Sequence, residues 1–371
     1  MPPAPAMQRV IGAMTMRLGN VSVGVSRKLP NSEDMGRLRV AQFGQAPYRA
    51  DMPSELWQPD ELAGFERLVL PLPAEGDGEL VATLVRRKRE LAPTAPRGVV
   101  LYIHGYVDYF FQVHLADAFT QAGYDFHALD LRRYGRSLRP GNVPCQFARI
   151  DDYFPELTWA IESCTASGLP LSSLVAHSTG SLVASIYASR GARKDVIGSL
   201  VLNSPFFEFR ANAVEKAALA AVIRLGATLP TVGAPVRLNR VYGQTLHQSE
   251  SGEWAYDLTK KPLGGFGVTA GWIHAIAKGH AELQAGLDVN CPVLVLHSTR
   301  WRVSSSKLEE ADRTADIVLD VEHMKKYAHS VGRDVEVLAF EEGKHDLTLS
   351  ALPVRTRVLE AMVGFVERRT G

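Results

Sequence analysis

Six short runs that read as strands recur along this chain, and segments with helical spacing lie between them. The runs fall at residues 98–104, 124–130, 172–178, 198–203, 292–297 and 334–340. The helical patterns fall near 112–122, 149–167, 180–191, 320–331 and 354–368. Their apolar centres, clearest in Val99-Val-Leu-Tyr-Ile103, are what strands buried on both faces look like. Their alternation with helices predicts an α/β fold, a mostly parallel doubly wound sheet with crossover helices. Phe65–Pro71 and Glu79–Arg86, joined by a Gly-containing turn at 74–78, read as an antiparallel hairpin ahead of that sheet. With 46% hydrophobic residues in 371, the chain can bury a large core. Residues 61–203 and 291–371 are expected to form it. Residues 1–60, with weak periodicity, read as an N-terminal extension. Residues 204–290 interrupt the alternation. They hold an Ala- and Leu-rich amphipathic stretch, Ala211–Leu225, and the aromatics Trp254, Tyr256, Phe266 and Trp272.

In such sheets ligands bind beyond the carboxyl ends of the strands, and there the chemistry-bearing residues collect. Ser178 sits between the apolar run Leu174-Val175-Ala176 and a helix-like run from Ser181, with small residues at 176 and 180. That spacing is a nucleophile elbow, a strand-to-helix turn that needs small neighbours because backbone passes close on both sides. Its usual first glycine is Ala176 here. His104-Gly105-Tyr106 follows the first apolar run, in the loop that supplies one oxyanion-hole N–H in acyl-transfer enzymes of this architecture; the residue after the nucleophile supplies the other. The expected donors are therefore the amides of Tyr106 and Thr179. His345, in the loop after the last run, is the expected base. His104 is expected to brace its loop, and His177 to point away from the chemistry.

The acid should lie between serine and histidine in the chain. No carboxylate directly follows the run at 292–297; Ser298–Ser306 intervenes. Asp316 is the expected triad acid, with Asp312 and Asp320 as weaker candidates. Glu208, just past the run at 198–203, is the alternative acid.

Several segments together resemble an α/β-hydrolase of the monoacylglycerol lipase, lysophospholipase and serine aminopeptidase S33 group. They are His104–Gln112, Asp130-Leu-Arg-Arg-Tyr-Gly-Arg-Ser137, Ala176–Gly180, Ala315-Asp316 and Gly343-Lys-His-Asp346. The likeness spans roughly residues 65 to 368. It implies a serine hydrolase acting on apolar carboxylic esters through an acyl-enzyme, with residues 204–290 as a cap over the site. No metal or organic cofactor is implied. Aminopeptidase or lactonase chemistry on the same triad, and a non-catalytic binding protein on the same fold, are the competing expectations. Asp at the nucleophile position would be needed for a dehalogenase or epoxide hydrolase, and Ser178 stands there instead.

Charge excludes other classes. Lysines and arginines number 41 against 40 acids, so nothing points to a nucleic-acid partner. Three cysteines, Cys145, Cys164 and Cys291, cannot all pair and have no metal-ligand spacing. A reducing cytoplasm is the simplest expectation, since no apolar run reaches the roughly 18–20 residues of a membrane span and the N-terminus lacks a signal-peptide pattern. The extension or the cap is where a homodimer would form.

Overall fold

The computed structural model describes residues 57–76, 78–88, 95–234 and 238–370; the expected extension lies almost wholly outside them. The strands are β1 (Gln58–Pro59), β2 (Phe65–Glu75), β3 (Gly78–Arg87), β4 (Val99–Ile103), β5 (Asp125–Asp130), β6 (Leu171–His177), β7 (Leu200–Asn203), β8 (Val293–Ser298) and β9 (Val335–Phe340). They form one sheet in the order β1-β2-β3-β5-β4-β6-β7-β8-β9. The hairpin β2–β3 is antiparallel, and β3 joins β5 antiparallel. From β5 to β9 every pairing is parallel. The six runs thus become the parallel strands, with ends within about two residues of expectation.

Eight α-helices accompany them among the described residues: α1 (Val113–Gln121), α2 (Phe154–Cys164), α3 (Thr179–Arg190), α4 (Ala213–Thr228), α5 (Arg240–Leu246), α6 (Ala270–Gln284), α7 (Val321–Tyr327) and α8 (Leu352–Thr370). Side chains alternate across the sheet, and this splits the core. Val100, Tyr102, Val175, Val201 and Leu294 face Phe119 of α1 and Val358, Met362 and Phe365 of α8. Leu101, Ile103, Ala176, Leu202 and Val295 face the layer that holds Leu157, Ile161, Leu182 and Ile276. All three cysteines are free. No helix among the described residues is long and apolar enough to cross a membrane.

The stretch between β7 and β8 holds α4, α5 and α6. Thr269 caps α6 by accepting from the Trp272 amide, and α6 then packs across α3. A side chain at Gly279 would come within 3.1–3.3 Å of Ile150, Leu182 and Ile186. At Gly271 it would meet the Pro230 carbonyl at 2.7 Å. These glycines are close-packing contacts, and they also hide the helix from a reading by propensity.

Burial has a titration consequence on α6. The His280 ring nitrogen donates to the Phe206 carbonyl at 3.0 Å, and burial pushes its pKa down from 6.5 to about 3. The folded chain therefore holds this imidazole neutral while the unfolded chain protonates below pH 6.5. The resulting stability is complete above pH 6.5 and drains toward pH 3, at about 1.4 kcal/mol per pH unit. His280→Gln, which keeps a donor, should flatten the fall in unfolding free energy between pH 6 and 4 by about that slope. Denaturant titrations at stepped pH measure it; an unchanged slope would place the His280 titration outside the folding equilibrium.

Candidate active site

Ser178 stands alone between the end of β6 and the start of α3, with φ 53° and ψ −118°. A serine in this region carries strain on the order of 1–3 kcal/mol, which only a tightly determined surrounding sustains. Three contacts determine it. The Ser178 amide donates to the Asn203 carbonyl on β7 at 2.9 Å, and the Phe206 amide donates to the Ser178 carbonyl at 3.2 Å. The third is steric. A Cβ at Gly180 would lie 2.2 Å from the His104 carbonyl oxygen, and one at Gly105 would lie 2.9 Å from Ser178 Cβ. The elbow and the loop after β4 can approach only with glycine at both places. Ala176 sits inside β6, fully buried.

His345 follows β9 and reaches both neighbours. Ser178 Oγ lies 2.9 Å from His345 Nε2, and His345 Nδ1 donates to Asp316 Oδ2 at 2.8 Å. Asp316 is fully buried, and its other oxygen accepts the Val318 and Leu319 amides, each at 2.8 Å. The long loop before it explains the missing carboxylate after β8. That loop leaves the strand and folds back, so that Trp301 and Asp316 pair as a short parallel bridge. The Asp316 amide donates to the Arg300 carbonyl, and the Arg302 amide donates to the Asp316 carbonyl. The pairing brings Asp316 back beside residues 300–302, just past the end of β8.

The other carboxylates serve elsewhere. Glu208 faces His323 at 3.3 Å and Lys326 at 3.9 Å. Asp312 accepts the Glu309 amide and lies 3.5 Å from Arg302. Asp320 caps α7 through the Glu322 amide.

Tyr106 and Thr179 line the same cavity as Ser178. Thr179 opens α3, where first-turn amides have no partner within the helix. The Tyr106 hydroxyl donates to the Phe266 carbonyl at 2.8 Å, and its ring packs on Trp272. His104 braces the loop: its Nε2 accepts the Leu131 amide, which leaves Nδ1–H to donate to the Gly105 carbonyl. Asp130 braces it from β5, accepting the Phe110 amide on one oxygen and the Arg136 amide and guanidinium on the other.

A buried polar cluster behind the serine has only a partial trace in the sequence. Lys261, from the stretch between α5 and α6, reaches Asp108 at 2.6 Å. Burial alone would raise the Asp108 carboxyl, but the Lys261 ammonium and His177 overcome it and hold it well below the usual carboxylate range. His177 Nδ1 lies 3.4 Å from the other Asp108 oxygen, and its ring packs on His345. Asp346 joins three loops, accepting from Asn203 at 2.8 Å, Gln112 at 3.2 Å and the Thr348 hydroxyl at 2.7 Å. Asp108, His177 and Asp346 bring metal-ligand atoms within 4.8 Å of one another, the one such group among the described residues; Lys261 already supplies positive charge there. Asp108 and Asp346 fall within the segments that carry the family likeness, whereas Lys261 lies 153 residues from its partner and has no local signal.

Leu246, Tyr256, Leu263, Trp272, Val318 and Leu319 are among the walls of the cavity over Ser178. Tyr256 and Trp272 therefore face it, while Trp254 donates to the Leu349 carbonyl and stacks on His114.

Solved structures share this fold. A soluble variant of monoglyceride lipase from Saccharomyces cerevisiae, complexed with a substrate analog, superposes with TM-score 0.58 at 19% identity, covering 88% of this chain and all of that one. The monoacylglycerol lipase of Paleococcus ferrophilus gives 0.56 at 18% identity, over 74% of this chain and 96% of its own. A lipase in its open form gives 0.59 at 19%, over 82% and 99%. No curated protein matches by sequence. The family model described as serine aminopeptidase, S33, matches residues 94–350. The chain belongs to that family of hydrolases and carries the α/β-hydrolase fold of the monoglyceride lipases.

Proposed function

We propose that this protein is a serine hydrolase that cleaves apolar carboxylic esters, of the monoacylglycerol, lysophospholipid or small-ester kind, through an acyl-enzyme on Ser178. The observation that carries the reading is the hydrogen-bonded chain Ser178–His345–Asp316 at the base of a mainly apolar cavity. His345 Nε2 takes the hydroxyl proton as Ser178 Oγ attacks the ester carbonyl. The amides of Tyr106 and Thr179 receive the charge that develops on the carbonyl oxygen. His345 returns the proton to the departing alcohol, and water, deprotonated by the same imidazole, releases the acid. Asp316 holds the imidazole in the tautomer that leaves Nε2 free to accept. The segment 204–290 acts as the cap: its Tyr256, Leu263 and Trp272 wall the acyl-binding space and keep water out.

The peptidase reading would need a carboxylate free to hold the substrate's amino terminus. Asp108 is the carboxylate that lines the cavity, and Lys261 already neutralises it. A panel of p-nitrophenyl esters from acetate to laurate, run beside aminoacyl p-nitroanilides, tests the choice. The esters should be cleaved with kcat/KM at least about a hundredfold above any anilide, a gap of about 2.7 kcal/mol in transition-state binding. Preference for an anilide would reverse the assignment.

A further inference from the structure

Among the described residues, two cations line the cavity. Lys261 is neutralised by Asp108 at 2.6 Å. Arg210, on the segment that leads from β7 into α4, is not neutralised. Its guanidinium lies over the Trp301 ring, 5.0 Å from the centroid. Its Nη2 is buried with no hydrogen-bond acceptor, and no carboxylate among the described residues lies within ion-pair distance. Trp301 belongs to the bridge that seats Asp316, and Val318 and Leu319 of the same loop line the cavity. The arginine thus stands on the acid-loop wall of the cavity that holds Ser178. Glu215, Asp320 and Asp316 act on it only through space, and burial lowers its pKa; a guanidinium nevertheless stays charged.

A half-buried cation without a counter-charge is a cost to the fold. Asn239 and Tyr242, on the same wall, have internal partners: Asn239 donates to Ser304 and Ser305 carbonyls, and the Tyr242 hydroxyl accepts the Asp346 amide. A planar fork of donors, propped on an aromatic face and carried by a residue that lines a substrate cavity, suits a carboxylate or phosphate. Resting on the hydrolase reading above, we propose that Arg210 is an anion subsite. The esters this protein favours would then carry a carboxylate or phosphate besides the scissile bond.

Calorimetry on the Ser178→Ala variant tests binding without turnover, with octanoate, octyl phosphate and octanol as probes. At least one anion should bind about tenfold or more tighter than octanol, as a charge-assisted bond to a fixed cation does. Adding Arg210→Gln should erase that difference, and Arg210→Lys should keep part of it. Which anion gains distinguishes a carboxylate from a phosphate substrate. In turnover, the preference for the p-nitrophenyl ester of an ω-carboxyoctanoyl acid over its methyl-capped form should fall at least tenfold in Arg210→Gln. Equal binding of all three probes, or an anion preference that survives Arg210→Gln, overturns the subsite. Anion binding that depends on Arg210 in a protein that cleaves no ester supports the subsite and overturns the ester-hydrolase reading alone.

Discussion

Ser178→Ala is expected to lower kcat/KM on p-nitrophenyl butyrate by on the order of 10⁴- to 10⁶-fold, with the fold intact. The size follows from how much hangs on one oxygen. Without Oγ there is no covalent intermediate, and His345 Nε2 has no proton to take. What remains is substrate positioning and the proposed oxyanion donors, the amides of Tyr106 and Thr179; in other serine hydrolases such groups leave a residual of roughly 10³-fold over water. Thermal unfolding should shift little, because the elbow is pinned by backbone bonds to Asn203 and Phe206. Steady-state kinetics and a melting curve on the same preparation separate lost chemistry from lost fold. A variant within tenfold of the parent would remove Ser178 from the reaction.

Asp316→Asn is expected to cost on the order of 10⁴-fold in kcat, by a different route. One Asp316 oxygen is held by the Val318 and Leu319 amides. In the variant those two donors claim the amide oxygen, which turns the NH₂ group toward His345 Nδ1. That nitrogen must then accept, so the ring proton moves to Nε2, the atom that has to accept from Ser178. The imidazole stays in position with its proton on the wrong side. Glu208→Gln should change kcat by less than about twofold, since Glu208 faces His323 and Lys326; surface pairs of this kind contribute about 0–1 kcal/mol. A large loss in Glu208→Gln with a mild one in Asp316→Asn would exchange their roles.

The parallel sheet could be read because the strands from β4 to β8 are buried along almost their whole length, so each has an apolar centre in the chain. Ser178 and His345 could be read because each follows a strand's carboxyl end by a residue or a short turn. Asp316 was harder. Chain distance from β8 is a poor guide when the chain doubles back and Asp316 returns, through a single bridge to Trp301, to the loop just past the strand. The helix α6 escaped because Gly271 and Gly279 lower its apparent propensity, while the reason for them lies in Pro230 and α3. The Asp108–Lys261 pair joins two segments that meet only in the folded chain.

The proposed chemistry runs through one oxygen, Ser178 Oγ, which lies 2.9 Å from His345 Nε2, and that oxygen can be interrogated alone. A fluorophosphonate probe reacts with a serine whose proton is drawn off by a base, beside fixed donors that receive the probe's phosphoryl oxygen. Incubating the protein with such a probe, digesting it and mapping the adduct by mass spectrometry should place a single phosphonylated residue at Ser178. Ester hydrolysis should fall in step with labelling, and Ser178→Ala should take up no label. An adduct at another serine, or full ester hydrolysis by protein labelled to completion at Ser178, would contradict the assignment.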